Sequence, residues 1–318
     1  MPRLGTTDLD VFPLNLGANV FGWTADEPTS HAVLDAYVEA GGNFIDTADS
    51  YSAWVPGHEG GESEAIIGRW LAKRGRRDDV IVATKVFAHP ARRGLSAANV
   101  QAAAEDSLRR LGTDHIDLYY AHRDDPDVPL EETLGAFDAL VRAGKVRYVA
   151  ASNHTADRLT EALAVADREG LTRYVALQPH YNLVERADYE QGGLRDVVAR
   201  EGLATLPYFA LAKGFLTGKY RDRADAGDSP RAEGALAYLD DRGRAVLDAL
   251  DAVAAAHDSS PAAVAIAWLA AQPTVAAPIA SARTVEQLGP LLEGARLRLS
   301  DAELRRLDAA SSPAPIAS

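Results

Sequence analysis

The chain contains no cysteine, which excludes disulfides and thiolate metal sites. Its histidines show neither a His-x-His nor a His-Glu-x-x-His spacing, so a metal-dependent hydrolase lacks its usual ligand pattern and no metal site is expected. No Gly-x-Gly-x-x-Gly turn occurs, which argues against a Rossmann-type dinucleotide site. No apolar run is long enough to span a bilayer. Met1-Pro2-Arg3-Leu4-Gly5 lacks the apolar core of a secretory signal, so the expected location is the cytoplasm. Positive charge is scarce. A formal net charge of −13 argues against nucleic acid or an anionic membrane as partner. Lysine is scarcer still, with only Lys73, Lys85, Lys145, Lys213 and Lys219. Nothing in the composition bears on oligomeric state.

What is present is a large apolar fraction, 47% of 318 residues, ample for a core. A segment from Leu4 to Val11, turning at Gly5-Thr6-Thr7, reads as an N-terminal hairpin. Short apolar runs then alternate with segments of helical period. Strands are expected at Leu14–Gly17, 43–46, Val80–Lys85, Ile116–His122, Val146–Ser152, Tyr174–Gln178, Leu203–Tyr208 and Val275–Ile279. Thr29 or Ser30, Ser63, Ser96 and Ser260-Pro261 are the expected helix starts. Capping boxes are expected at Thr284-x-x-Gln287 and Ser300-x-x-Glu303. Phe209 to about Glu233 reads as a polar loop. Eight strand–helix units argue for a closed (β/α)8 barrel with two extra helices, formed by residues 1–318 as a single domain.

In such a barrel the chemistry belongs at the carboxyl ends of strands. Three successive strands here end in Asp46, Lys85 and His122, and Tyr51 follows just past the first. A buried carboxylate needs a cation, and Lys85 is the candidate. Together the four residues form a proton-handling constellation. Tyr51 can donate a proton if the Lys85 ammonium makes its phenol a stronger acid than the usual pKa of roughly 10. His122 can hydrogen-bond the oxygen that receives the proton, or share the proton duty.

Several stretches together resemble the aldo-keto reductase family: Asn43 to Tyr51, Thr84-Lys85, Asp117 to His122, Val149 to Asn153 and Tyr208 to Tyr220. The likeness runs from Leu4 to about Ala309 and is nearest the bacterial branch related to potassium-channel β-subunits. It implies a (β/α)8 TIM barrel that reduces a small-molecule carbonyl substrate with NADPH, with Asp46, Tyr51, Lys85 and His122 as the catalytic set. It assigns Ala18, Asn19 and Asp46 to the cofactor site. Ser152, Asn153 and Gln178 would hold the carboxamide, and Tyr208 would stack on the nicotinamide. Phe209-Ala210-Leu211-Ala212-Lys213-Gly214 would wrap the pyrophosphate, with Lys213 or Lys219 countering its charge, and Arg231 further along the loop would belong to the same cofactor set. Ser281, Arg283 and Gln287 would form the last element, Arg283 suiting the 2′-phosphate of NADPH. Ser281 stands where glycine is usual, and Leu291 where an adenine-contacting asparagine is common. Trp23, Trp54, Phe87 and Arg123 are expected at the substrate pocket. The same likeness admits a second reading, a nicotinamide-binding regulatory subunit that senses redox state and turns over slowly.

Overall fold

The structure is a computed structural model that describes residues 1–227 and 231–313. Strands and helices alternate: β1 (Asn15–Gly17), α1 (Glu27–Glu39), β2 (Phe44–Asp46), α2 (Glu62–Arg74), β3 (Ile81–Val86) and α3 (Ala97–Leu111). Then follow β4 (Ile116–Ala121), α4 (Leu130–Arg142), β5 (Val146–Ser152), α5 (Ala156–Glu169), β6 (Tyr174–Gln178), α6 (Ala187–Glu190), α7 (Leu194–Glu201) and β7 (Ala204–Thr205). The remainder is α8 (Ala232–Leu236), α9 (Asp241–Ala256), α10 (Pro261–Ala270), β8 (Ile279–Ala280), α11 (Val285–Arg296) and α12 (Asp301–Ser311).

All eight strands are parallel, in the order β7-β6-β5-β4-β3-β2-β1-β8. The remaining seam, between β7 and β8, closes through backbone hydrogen bonds. Ile279 N donates to Pro207 O at 2.8 Å and Ala276 N to Thr205 O at 3.0 Å. The sheet is therefore a (β/α)8 barrel. Its pleat sorts side chains by parity. Phe44, Ala83, Leu118, Tyr120, Ala150 and Ala176 fill the interior, while Ile45, Val82, Tyr119, Ala151 and Leu177 pack outward against the helices. The N-terminal hairpin is present as an Arg3–Asp10 antiparallel bridge. Its Leu4, Leu9 and Val11 belong to the interior cluster.

Several local expectations are corrected. α1 starts at Asp26, whose side chain accepts from Thr29 N at 2.9 Å, so Thr29 and Ser30 lie inside the first turn. Pro28 explains the earlier start, since proline suits the first helical turn. α2 is preceded by Gly61, and Ser63 instead donates to Ala18 O at 2.8 Å. β7 is two residues long, and β8 begins where the expected strand ended, because the seam is built from bends rather than a regular ladder. The box at Ser300 is complete. At Thr284 only half forms, because the Gln287 side chain accepts from Arg283 N instead. The expected polar loop carries 3-10 turns at Ala212–Thr217 and Arg223–Ala226 and then α8; its residues 228–230 lie outside the described residues.

Candidate active site

The inward parity of the strands delivers the chemistry to one place. Asp46 follows Phe44 by two on β2, Lys85 follows Ala83 on β3, His122 follows Tyr120 past β4, Ser152 follows Ala150 on β5, and Gln178 follows Ala176 on β6. Lys85 is 0% exposed and Asp46 2%. The Lys85 ammonium donates to Asp46 Oδ2 at 2.5 Å, to Thr47 O at 2.7 Å and to Tyr51 Oη at 3.0 Å. Gln178 Nε2 donates to the other Asp46 oxygen at 2.9 Å. The Tyr51 and His122 rings meet edge to face, 6.1 Å apart.

The electrostatics depart from expectation at one point. Burial lowers Lys85, but Asp46 and Tyr51 more than offset it, so the amine is held above its ordinary value. Tyr51 is not made a stronger acid overall. Burial raises its pKa, Lys85 pulls it down, Asp46 pushes it up, and the phenol stays above its ordinary range. Sequence reasoning saw the nearby charge and missed the desolvation. Burial, with the charges of Lys85 and Arg123 behind it, pushes His122 well below its usual value, so the ring is neutral.

Asp46, Tyr51 and His122 open onto a cavity of about 680 Å³. It is lined by most of the expected residues: Asn19, Ser152, Asn153, Gln178, Tyr208, Phe209, Ala210, Leu211, Lys213, Gly214, Lys219, Arg231, Ser281, Arg283, Gln287, Trp54 and Arg123. Five expected residues do not line it, among them Lys85, which is fully buried and reaches the cavity only through its bond to Tyr51. Ala18 and Ala212 are fully buried. Trp23 stands one step back, edge-on to Trp54 at 5.5 Å, and Phe87 lies 5.4 Å beneath the Arg123 guanidinium. Gly17, Thr24, Thr217, Ser260 and Pro290 line the wall although sequence reasoning missed them. Gly17 had a signal, as the strand-ending glycine of β1: a Cβ there would meet Ser281 Oγ at 2.7 Å. Ser281 Oγ itself donates to Asn19 Oδ1 at 2.6 Å. Pro290 and Ser260 read only as helix residues.

The expected carboxamide binders are bonded to one another. Ser152 Oγ donates to Gln178 O at 2.9 Å, Asn153 Nδ2 to His122 O at 2.9 Å, and Tyr208 Oη to Asn153 Oδ1 at 2.8 Å. The Tyr208 ring stacks on His180, 5.1 Å between centroids. The far wall is cationic. Lys213, Lys219, Arg231 and Arg283 reach it, and among the described residues none pairs with a carboxylate. Three of them lie over rings: Lys213 over Phe209 at 5.7 Å, Lys219 over Tyr220 at 4.7 Å and Arg231 over Trp23 at 5.1 Å. Arg231 Nη2 is buried and has no hydrogen-bond partner among the described residues, and burial together with Arg283 lowers its pKa. The turn between them is strained, with left-handed backbone at Ala212 (φ 47°), Lys213 (φ 58°) and Gly214 (φ 98°). A desolvated guanidinium beside three more cations, none paired with a carboxylate among the described residues, fits a polyanionic ligand.

A closed parallel barrel with a buried Asp–Lys–Tyr chain at its carboxyl-terminal mouth is the architecture of a barrel oxidoreductase. Residues 13–312 match the Aldo/keto reductase family, and the chain belongs to that family. It is 36% identical to the "Uncharacterized oxidoreductase YrpG" of Bacillus subtilis over 96% of this chain and 94% of that protein. It is 34% identical to a "Probable voltage-gated potassium channel subunit beta" of Oryza sativa, over 90% and 88%. It is also 31% identical to the "Norsolorinic acid reductase" of Aspergillus flavus, over 94% and 77%. Among the described residues no helix is long and apolar enough to cross a membrane, and no cluster of residues suits a metal ion.

Proposed function

We propose that the protein reduces an aldehyde or ketone to an alcohol with NADPH, Tyr51 delivering the proton. The observation that carries this reading is the Asp46–Lys85–Tyr51 chain opening onto a cavity whose far wall holds four cations that pair with no carboxylate among the described residues. A bound reduced nicotinamide supplies the hydride. The residues supply the rest. Ser152, Asn153 and Gln178 are the polar groups at the strand ends available to orient its carboxamide, and Tyr208 offers a ring face. Lys213, Lys219 and Arg231 meet the pyrophosphate, and Arg283 the 2′-phosphate.

At the reacting end, neutral His122 and the Tyr51 hydroxyl bracket the carbonyl oxygen. A phenol held above its ordinary pKa keeps its proton in the resting site. It gives the proton up only when the carbonyl oxygen becomes an alkoxide, a far stronger base. Lys85 then stabilises the phenolate left behind. Trp54 and Arg123 form the wall beside this point, so the carbonyl compound meets one apolar face and one cation.

A panel of aldehydes and ketones followed by NADPH absorbance, with NADH in parallel, tests the reaction. Arg283→Ala tests the cofactor. A charge-assisted contact contributes roughly 1.5–3 kcal/mol, about one to two decades in affinity. NADPH binding should weaken by that factor and NADH binding stay nearly unchanged; equal weakening of both removes Arg283 as the reader of the 2′-phosphate. The cation-lined loop and the relative named as a channel subunit favour one alternative, a redox-sensing regulatory subunit. It predicts tight cofactor binding with no appreciable turnover on any carbonyl in the panel.

A further inference from the structure

The outward faces of β3 and β4 carry a second titratable cluster, on the opposite side of the strands from the cavity. At its centre is Asp49, on the turn that joins Asp46 to Tyr51. It is 1% exposed, and among the described residues neither carboxyl oxygen has a hydrogen-bond partner. Glu64 of α2, Arg110 of α3, Arg92 of the loop after β3, and Lys85 of β3 act on it. Tyr119 of β4 adds a buried hydroxyl that also lacks a hydrogen-bond partner among the described residues. His89 packs on the same turn across Gly60.

Every cation of this cluster already has an anion. Arg110 holds Glu64 Oε2 through Nε at 2.7 Å and Nη2 at 2.6 Å. Arg92 is paired with Asp106, and Lys85 with Asp46. The other Glu64 oxygen takes the Thr84 hydroxyl at 2.5 Å. An ionised Asp49 would thus be a buried charge with no counter-ion of its own, facing a second carboxylate. Two such groups favour a single charge between them, and Glu64 has the partners for it.

The turn itself is tied to the site. Asp49 N donates to Lys85 O at 3.3 Å, Tyr51 N to Ala48 O at 3.2 Å, and Thr47 O accepts the Lys85 ammonium. We propose that Asp49 is a positioning residue: held as the neutral acid beside Glu64, it seats the turn that carries Tyr51, and loss of its proton unseats that turn. Burial and the Glu64 carboxylate push Asp49 up to about 7. A folded-state value above the unfolded one makes the native state bind the extra proton. Stability therefore falls as pH rises from about 4 to about 7, and the penalty is complete above that.

Asp49→Asn keeps the shape and removes the titration. The wild-type melting temperature should fall relative to the variant as pH rises from about 4 to about 7 and level off above about 7, the midpoint of the Asp49 titration. The effect on turnover rests on the reading of Tyr51 as proton donor. There kcat should fall about tenfold per pH unit above the midpoint with KM unchanged, and Asp49→Asn should hold its kcat plateau into the alkaline range. A constant offset between the two melting curves at every pH overturns the proposal. Should the variant not fold, the carboxyl carbon-13 resonance of Asp49 in labelled wild type gives the answer. Titration near neutrality supports the proposal, and titration near the ordinary value of roughly 4 sinks it. Melting and resonance need neither cofactor nor carbonyl. A protein that reduces nothing in the panel yet titrates at Asp49 loses only the reductase reading.

Discussion

The Lys85 ammonium has three protons to give, and three oxygens receive them: Asp46 Oδ2, Thr47 O and Tyr51 Oη. That full set is what allows a lysine with no exposed surface to stay charged. It also makes Tyr51→Phe a two-sided test. The ring stays, so the cavity wall and its edge contact with His122 persist. One lysine proton loses its acceptor, which costs about 1–3 kcal/mol. Under the proposed mechanism the variant folds, binds NADPH in a fluorescence titration, and loses about 10²–10⁴-fold in carbonyl reduction; wild-type turnover would reassign the acid. Asp46, Lys85 and His122 were legible in the sequence because each ends an apolar run, and the two-residue period of a strand put them on one face. The protonation of Tyr51 was not legible. Which charge lies nearby follows from strand order, but how much water is excluded depends on the closed barrel. The unpartnered carboxyl of Asp49 escaped for the same reason, since three residues after Asp46 it reads as one more loop acid.

The elements divide along similar lines. β5 and β6 were readable to the residue: each follows a glycine that ends a helix and is largely apolar, with Arg147 of β5 the charged exception. β7 and β8 were not, because they close the barrel through bends at Pro207 and Pro278, where ladder pairing gives way to single hydrogen bonds. Those bends serve the site. They start the segment after Tyr208, where non-glycine residues Phe209, Ala212 and Lys213 all take left-handed backbone. Strain of order 1–3 kcal/mol per residue survives only where the surroundings enforce it. Gly214 follows, also in left-handed backbone (φ 98°), with Lys219 passing close over it: a Cβ there would be in ordinary contact with Lys219 Cε at 3.5 Å. Lys219 is exposed, tethered to the Tyr220 ring and without a carboxylate among the described residues. A lysine so placed suits a segment that folds over an anionic cofactor and delays its departure. Lys219→Ala should speed NADPH release and weaken binding. Stopped-flow fluorescence that returns the wild-type off-rate would remove Lys219 from the cofactor site.

On the scale of the whole molecule, charge is segregated. The chain carries a net −13, yet four cations without carboxylate partners among the described residues converge on one cavity. Most surface arginines are matched, as Arg69 is by Glu27, Arg74 by Asp79 and Arg173 by Glu201. The cavity cations therefore repel one another in the free protein, with Arg283 acting on Arg231, and an anion that binds there relieves the repulsion. Ligand that binds only the folded state stabilises it by RT ln(1 + [L]/Kd), about 2.7 kcal/mol at a hundredfold excess over Kd. For a chain of this length, unfolding entropy scaled per residue turns that into a melting shift of about 4 °C. NADPH at that excess should give such a shift, and NADH at the same concentration a smaller one, because it lacks the phosphate for Arg283. Added salt should shrink the difference between the two cofactors, since screening acts most on the extra charged contact. Equal shifts for both cofactors, unmoved by salt, would mean that the cationic wall does not recognise the 2′-phosphate and that the proposed preference for NADPH is wrong.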